Sequence, residues 1–120
     1  MSQKELIREK LKNHLGKEVT VYVDRELGSV HPKYPNMVYP INYGYIKELT
    51  ACDGDYQDVY LLGIDEPVKI VVGKVYAVVE RENDIEDKLI VVVGEYKYTI
   101  EEIVELISFQ EKYFKSKIVK

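Results

Sequence analysis

Residues 39–58 read Y-P-I-N-Y-G-Y-I-K-E-L-T-A-C-D-G-D-Y-Q-D, and this stretch decides how the rest of the chain is interpreted. It ends in a D-G-D-x-x-D cluster that contains Asp53, Asp55 and Asp58. Gly54 and its polar neighbours predict a tight turn, and Asp58 is expected to begin the strand that follows. Three carboxylates on one short turn repel one another, so a folded protein usually places a cation among them. Oxygen ligands favour Mg²⁺, Mn²⁺ or Ca²⁺ over zinc.

The acidic turn has two other interpretations. A calcium loop of the EF-hand type needs glycine at its sixth position and glutamate at its twelfth, where this chain has Asp58 and Ile64. A solvated turn that binds nothing is the default for an isolated acidic cluster. The upstream segment 42–45, N-Y-G-Y, argues against that default because its tyrosines are costly to expose. They either pack at a strand edge, or Tyr43 donates a hydrogen bond to an anion at the site.

The two motifs together resemble those of a known family. Y-P-x-N-Y-G-Y-I, followed at this distance by D-G-D-x-x-D, is similar to family I, the soluble inorganic pyrophosphatases, and weaker similarity extends from about Val21 to Phe114. The chain resembles a shortened and divergent member. The resemblance implies metal-dependent hydrolysis of inorganic pyrophosphate, or of a similar small phosphoanhydride, to phosphate. It also implies Mg²⁺ or alternatively Mn²⁺ as cofactor, and a homo-oligomer.

The resemblance further implies roles for individual residues. Asp53, Asp55 and Asp58 match the motif aspartates that bind metal, and Asp55 is also the candidate catalytic base. Tyr43 matches a phenol that contacts phosphate. Tyr113 matches a helical tyrosine that binds substrate.

A second acidic run, residues 82–88, resembles the later D…D-x-K segment of the family. Lys88 matches its phosphate-binding lysine, and Glu86 replaces its second aspartate as a metal ligand. The first aspartate requires a gap, so Asp84 is chosen as a metal ligand, with Glu82 as the alternative. Taken alone, the run also fits an acidic hairpin turn.

Three departures from the family pattern affect phosphate binding. Phe114 stands where the pattern has lysine, and the strand at 19–23 lacks the expected Lys-x-Glu. The phosphate-binding arginine has no clean counterpart; Arg25, His31 and Lys33 are substitutes by position, and of these Arg25 and Lys33 are taken as substrate-binding residues. The segment that carries them, residues 24–35, is either a phosphate-binding loop or a solvated surface loop.

The hydrophobic pattern predicts a mainly β (α+β) fold in one domain, residues 1–120. Capping boxes predict helices over residues 2–15 and 99–114. Strands are predicted at 19–23, 43–46, 59–63, 68–79 and 88–93, and Gly73 suggests a bulge or bend in the fourth. The count fits a small five-stranded OB-like closed β-barrel flanked by an N-terminal and a C-terminal helix, and the resemblance implies the same barrel.

Charge and cysteine content narrow the function classes. The net charge is −4, and since residues 1–17 and 111–120 each carry +3, the centre carries −10. This centre would repel nucleic acid, and it would repel a polyphosphate unless cations neutralise it first. A single cysteine rules out an internal disulfide, and the charged start and lack of a long apolar run predict a cytoplasmic protein without a membrane span.

Three functional hypotheses follow. The first is a compact metal-dependent diphosphatase. The second is a pyrophosphatase-like protein whose degenerate site binds metal, a phosphate ligand or a partner without efficient turnover. The third is an OB-type interaction module for nucleic acid or protein, motivated by the barrel and by eleven tyrosines.

Overall fold

The structure, a computed structural model, describes residues 2–120, which form two helices and six strands. The elements in chain order are α1 (Gln3–Asn13), β1 (Glu18–Arg25), β2 (Asn42–Thr50), β3 (Tyr56–Leu62), β4 (Ile70–Arg81), β5 (Lys88–Val92), α2 (Ile100–Glu111) and β6 (Ser116–Val119). Neither helix has the length and apolar run that a membrane crossing requires.

Five strands close into the predicted barrel. Their order is β1-β2-β3-β5-β4, and pairing between β1 and β4 completes the circle. The β3–β5 pair is parallel, and the other pairs are antiparallel. Gly44 on β2 makes the β1–β2 contact close, because a side chain there would lie 2.1 Å from the carbonyl oxygen of Tyr22. The OB-like fold class is confirmed.

The barrel wall is packed on both faces. Inward-facing valine, leucine and isoleucine side chains, such as Val21, Val59 and Val91, fill the interior. A second apolar layer lies outside the barrel under α2, where Ile103 and Ile107 pack on Tyr43 and Tyr60. One sheet therefore buries alternate residues of the same strands on opposite faces, and the candidate site lies at the edge of the outer layer.

Both helices begin where the capping boxes predicted. Ser2 and Glu5 exchange side-chain-to-backbone hydrogen bonds at α1, and Thr99 and Glu102 do the same at α2. Each box satisfies two backbone N–H groups that would otherwise lack a partner. Helix α2 ends at Glu111, before the predicted residue 114.

Four local features differ from the sequence prediction. A sixth strand, β6, extends the sheet by pairing with the end of β4. Asp58 lies within β3 rather than at its start. The irregularity in β4 falls between Val75 and Ala77, whereas Gly73 instead allows close approach of β5, with the Val92 carbonyl oxygen 2.8 Å from where a Cβ would stand.

The fourth difference is the segment between β1 and β2. Residues 28–39 form an irregular hairpin, with a β-bridge between Val30 and Val38 and backbone hydrogen bonds from His31 to Met37 and from Tyr39 to Ser29. Tyr39 anchors the hairpin from below, because it is buried and packs edge-on against Phe109 of α2. The hairpin is thus held to the barrel, which the polar composition of this segment did not predict.

Candidate functional site

The aspartate turn is held by its own backbone. Ala51 N–H donates to the Asp55 carbonyl at 2.8 Å, and Gly54 N–H donates to the Ala51 carbonyl at 3.1 Å. Gly54 has φ +88°, a conformation that favours glycine, so the residue type follows from the turn. The Asp53 carboxylate accepts a hydrogen bond from the Asp55 N–H at 3.0 Å. The turn therefore fixes Asp53 and leaves the Asp55 side chain exposed to solvent.

The ammonium of Lys88 stands at the centre of the site. It lies 2.9 Å from Asp58 Oδ2 and 3.1 Å from Glu86 Oε2, and its side chain is almost fully buried. The Tyr43 hydroxyl donates to the same Asp58 oxygen at 3.0 Å. Three strands, β2, β3 and β5, therefore deliver a phenol, a carboxylate and an ammonium to one point.

The carboxyl groups of Asp53 and Glu86 influence each other beside this point. A hydrogen bond with Glu86 lowers the pKa of Asp53, and the same bond with Asp53 raises the pKa of Glu86, with burial adding to the rise. Opposite shifts of this kind are expected for neighbouring carboxyl groups, of which one ionises more readily than the other. Burial, followed by the charge of Asp58, raises the pKa of Tyr43 and keeps its phenol protonated as a donor.

A buried amide and a carboxylate position the turn that carries Glu86. Gln57 donates to the carbonyl groups of Asp58 and Asp87 at 3.0 and 2.8 Å, which ties β3 to that turn. Asp87 accepts from Arg8 of α1 at 2.7 and 2.9 Å and from the Arg81 N–H at 2.9 Å. Helix α1 therefore contributes to the site indirectly, by fixing the backbone beside Glu86 and Lys88.

A buried ion pair between Arg81 and Glu111 was not predicted. Arg81 Nε donates to Glu111 Oε1 at 3.0 Å, and a second guanidinium nitrogen donates to Oε2. Burial opposes the arginine's charge, but the bonds to Glu111 outweigh it and raise the pKa of Arg81. Burial also opposes ionisation of Glu111, yet Arg81, Ser116 and Tyr60 together lower its pKa.

The remaining predicted residues lie around this ion pair and the hairpin. Asp84 accepts from Arg81 at 2.9 Å, so it joins the ion pair and not the carboxylates at Lys88. Arg25 lies opposite Tyr43 in the β1–β2 ladder. Lys33 is exposed on the hairpin, and Tyr113 is exposed at the end of α2. The structure therefore brings together Tyr43, Asp53, Asp58, Glu86 and Lys88, and leaves the other predicted residues outside this cluster.

The side chains around Lys88 are not already arranged as a complete set of metal ligands. Within residues 2–120, no three histidine, cysteine, aspartate or glutamate side chains gather closely enough to hold a metal ion. The donor set itself is oxygen-only, and a cation beside Asp53 and Glu86 would relieve the repulsion between their two carboxylates. The chemistry of the pair therefore fits a hard divalent ion.

Comparison with known proteins identifies the family. The family model described as inorganic pyrophosphatase matches residues 8–118. The chain belongs to the inorganic pyrophosphatase family. This membership assigns it to the inorganic diphosphatases, which are hydrolases acting on phosphoanhydrides, and it confirms the resemblance seen in the sequence.

Solved pyrophosphatases share the fold at low identity. The inorganic pyrophosphatase from Ehrlichia chaffeensis is 20% identical with a TM-score of 0.65, and 85% of this chain covers 84% of that one. The inorganic pyrophosphatase from Coxiella burnetii is 17% identical with a TM-score of 0.60, covering 87% and 84%. The enzyme from Thermus thermophilus is 21% identical with a TM-score of 0.57, covering 87% and 81%. No curated protein matches the sequence.

One sequence signal could have revealed the buried ion pair of this pyrophosphatase-family chain. Ile103, Ile107 and Glu111 follow each other at four-residue spacing, which places a glutamate on the buried face of α2. A carboxylate at such a position requires a cationic partner. The sequence does not say which partner, because Arg81 is thirty residues away.

Proposed function

We propose that the protein hydrolyses inorganic pyrophosphate, or a similar small phosphoanhydride, to phosphate with the help of divalent cations. The observation that carries the proposal is the convergence of Tyr43 and Lys88 on Asp58, beside the Asp53–Glu86 pair. An ammonium and a phenol are donors for phosphoryl oxygens, and the adjacent carboxylates are ligands for a hard cation. Family membership supports the same reaction.

Residues of the chain divide the work as follows. Asp53, Asp55, Asp58 and Glu86 would hold Mg²⁺ or Mn²⁺. The side chain of Asp55 is exposed to solvent, so it has room to turn toward the ion. Asp84 is also a predicted ligand, from the sequence. A bound ion would lower the pKa of water and neutralise phosphoryl charge. Lys88 and Tyr43 orient the substrate through its oxygens, and Asp55 takes the proton of the attacking water. Arg25, Lys33 and Tyr113 are proposed as further substrate contacts.

The test is phosphate release from inorganic pyrophosphate with Mg²⁺, with Mn²⁺ and with chelator. Asp55→Asn should reduce turnover at least 100-fold while leaving the far-UV circular dichroism unchanged, since general-base catalysis contributes roughly 10²–10⁴-fold. Glu95→Gln is the matched control, because Glu95 is an exposed carboxylate remote in sequence from the aspartate turn. Equal turnover in Asp55→Asn and Glu95→Gln would contradict the assignment of Asp55.

A second candidate is a binding protein that retains metal and phosphate affinity without efficient turnover. It is favoured by the departures from the family pattern in the phosphate-binding half of the site, since the strand at 19–23 lacks Lys-x-Glu and the phosphate-binding arginine has no clean counterpart. Calorimetric titration of pyrophosphate, with and without Mg²⁺, separates the candidates. Metal-dependent binding without phosphate release supports this second candidate, and absence of binding removes it.

Three further proposals come from the sequence and the family. The chain would act as one domain over residues 1–120, assemble as a homo-oligomer and work in the cytoplasm. Light scattering coupled to size-exclusion chromatography tests the assembly, and a monomer at micromolar concentration would contradict it.

A further inference from the structure

A cavity of about 850 Å³ lies between the 28–39 hairpin and the end of α2. The hairpin contributes one wall and the helix end the other, and Arg81 lines the cavity between them. Both walls contribute aromatic side chains to the lining: His31, Tyr34, Phe109, Tyr113 and Phe114. The backbone bonds of the hairpin and the packing of Tyr39 on Phe109 hold the two walls together.

Gln110 links the wall of the cavity to the side chains of the proposed phosphoanhydride site. Gln110 lines the cavity, and its amide donates to the Tyr60 hydroxyl at 2.9 Å. The Tyr60 ring in turn packs edge-on against the Tyr43 ring, with 5.2 Å between the ring centroids. Tyr43 in turn reaches Asp58. Two side-chain contacts, Gln110 with Tyr60 and Tyr60 with Tyr43, therefore separate the cavity wall from the residues proposed to bind the diphosphate.

The size of the cavity exceeds what an inorganic diphosphate needs. At roughly 30 Å³ for each water molecule, 850 Å³ corresponds to somewhat under 30 waters, several times the room that two phosphoryl groups fill. Cavities of roughly 300–1,000 Å³ are typical of sites for organic ligands and cofactors. The volume thus accommodates an organic group attached to the diphosphate.

The chemistry of the lining favours an aromatic group over a second phosphate. Arg81 is engaged by Glu111 and Asp84, so its charge is already compensated. Tyr34 and Tyr113 are 59% and 64% exposed, which leaves large ring surfaces open, and the His31 and Tyr34 rings lie 4.8 Å apart. Rings of this kind stack on nucleobases irrespective of sequence. Lys112, which forms no ion pair within residues 2–120, adds a cation at the rim.

We propose that the cavity binds the nucleoside of a nucleoside diphosphate, whose terminal phosphoanhydride is hydrolysed at the aspartate site. Water attacks the terminal phosphorus, the bond from that phosphorus to the bridging oxygen breaks, and the products are orthophosphate and a nucleoside monophosphate. The water oxygen enters the orthophosphate, and its released proton passes to Asp55 and then to solvent. The inference rests on the proposed function, since it names the substrate class of the same site.

The experiment compares ADP, isopentenyl diphosphate and inorganic pyrophosphate as substrates in the presence of Mg²⁺. Isopentenyl diphosphate is an aliphatic control, because it carries an apolar group without an aromatic ring. Tyr34→Ala removes a cavity ring on the hairpin, and Tyr96→Ala is the matched control because Tyr96 is equally exposed but lines a different pocket. Binding of α,β-methylene-ADP, measured by calorimetry, gives a readout that does not depend on turnover.

The inference expects ADP to be cleaved to AMP and phosphate with a kcat/KM above that of isopentenyl diphosphate. Tyr34→Ala should lower the ratio of kcat/KM for ADP to that for pyrophosphate about tenfold, the loss expected for one stacked base. It should weaken analogue binding by a similar factor, whereas Tyr96→Ala should change neither.

Other outcomes separate this inference from the proposed function. Cleavage of pyrophosphate but not ADP, without analogue binding, overturns the inference and keeps the proposed function. Equal cleavage of ADP and isopentenyl diphosphate, unaffected by Tyr34→Ala, also overturns it. If the analogue binds, Tyr34→Ala weakens that binding and no substrate is cleaved, the cavity is supported as a nucleotide site. The proposal that the site hydrolyses phosphoanhydrides is then overturned. If the protein neither binds the analogue nor cleaves any of the three substrates, both the inference and the proposed function are overturned.

Discussion

The Arg81–Glu111 ion pair should show strong energetic coupling when its two members are removed separately and together. Both side chains are less than 10% exposed. In Glu111→Leu, Arg81 loses two hydrogen bonds and keeps Asp84, while Tyr60 and Ser116 lose an acceptor at 2.5 and 2.6 Å. Breaking a buried ion pair by removing one partner costs about 3–5 kcal/mol, and Glu111→Leu should lie at the low end of this range because Asp84 still pairs with Arg81. Arg81→Met leaves Glu111 uncompensated in the same way.

The double variant Arg81→Met/Glu111→Leu removes both charges and should cost much less than the sum of the single variants. Replacement of a buried pair by apolar residues is often neutral, so we expect a coupling energy of about 3 kcal/mol or more. Urea unfolding, followed by circular dichroism at pH 7, measures it. With an m-value of about 1.5–2 kcal/mol/M, each single variant should lower the midpoint by roughly 2 M. Single effects that add to within about 0.5 kcal/mol would refute the reasoning.

The same pair gives a pH dependence whose sign is fixed. The pKa of Glu111 is lowered from its ordinary value of 4.5, so its stabilisation is present above that value and is lost as pH falls through the lower folded value. The wild-type midpoint should therefore fall below about pH 4.5 more steeply than that of the double variant. Parallel pH profiles would contradict an ionised Glu111 in the folded state.

Two further predictions concern the barrel and helix α1. Gly44→Ala should destabilise the fold by at least about 2 kcal/mol, because its Cβ would stand 2.1 Å from the Tyr22 carbonyl oxygen. Urea unfolding measures the loss, with Glu48→Ala, an exposed change on the same strand, as the control. Equal unfolding midpoints for the two variants would contradict the prediction. Arg8→Ala should lower the free energy of unfolding by about 2–3 kcal/mol and reduce the rate of phosphate release, since Asp87 loses two hydrogen bonds that fix the turn beside Glu86. Lys10→Ala, at an exposed position on the same helix, is the control. An unchanged rate in Arg8→Ala would show that the turn keeps its position without Arg8.

Much of the architecture was determined by the sequence alone. Apolar segments between turn signals predicted five of the strands, and their number together with the family resemblance predicted a closed barrel, while the Ser2 and Thr99 capping boxes located both helix starts. These signals are local, because periodicity and caps act within a few residues. The motifs at 39–58 and 82–88 likewise predicted the family and most of the cluster around Lys88. The short strand β6 escaped prediction because four residues carry too little pattern.

Only the tertiary structure decided which charges meet. Asp84 was a plausible partner for Glu86 by spacing, yet it bonds to Arg81, whose own partner Glu111 lies thirty residues away. The hairpin at 28–39 became a cavity wall because Tyr39 packs on Phe109, a contact between residues seventy apart in the chain. Such pairings depend on burial and on the closure of the barrel, which bring distant side chains together and make an uncompensated charge costly. A sequence pattern records the residue types for these contacts but not their partners.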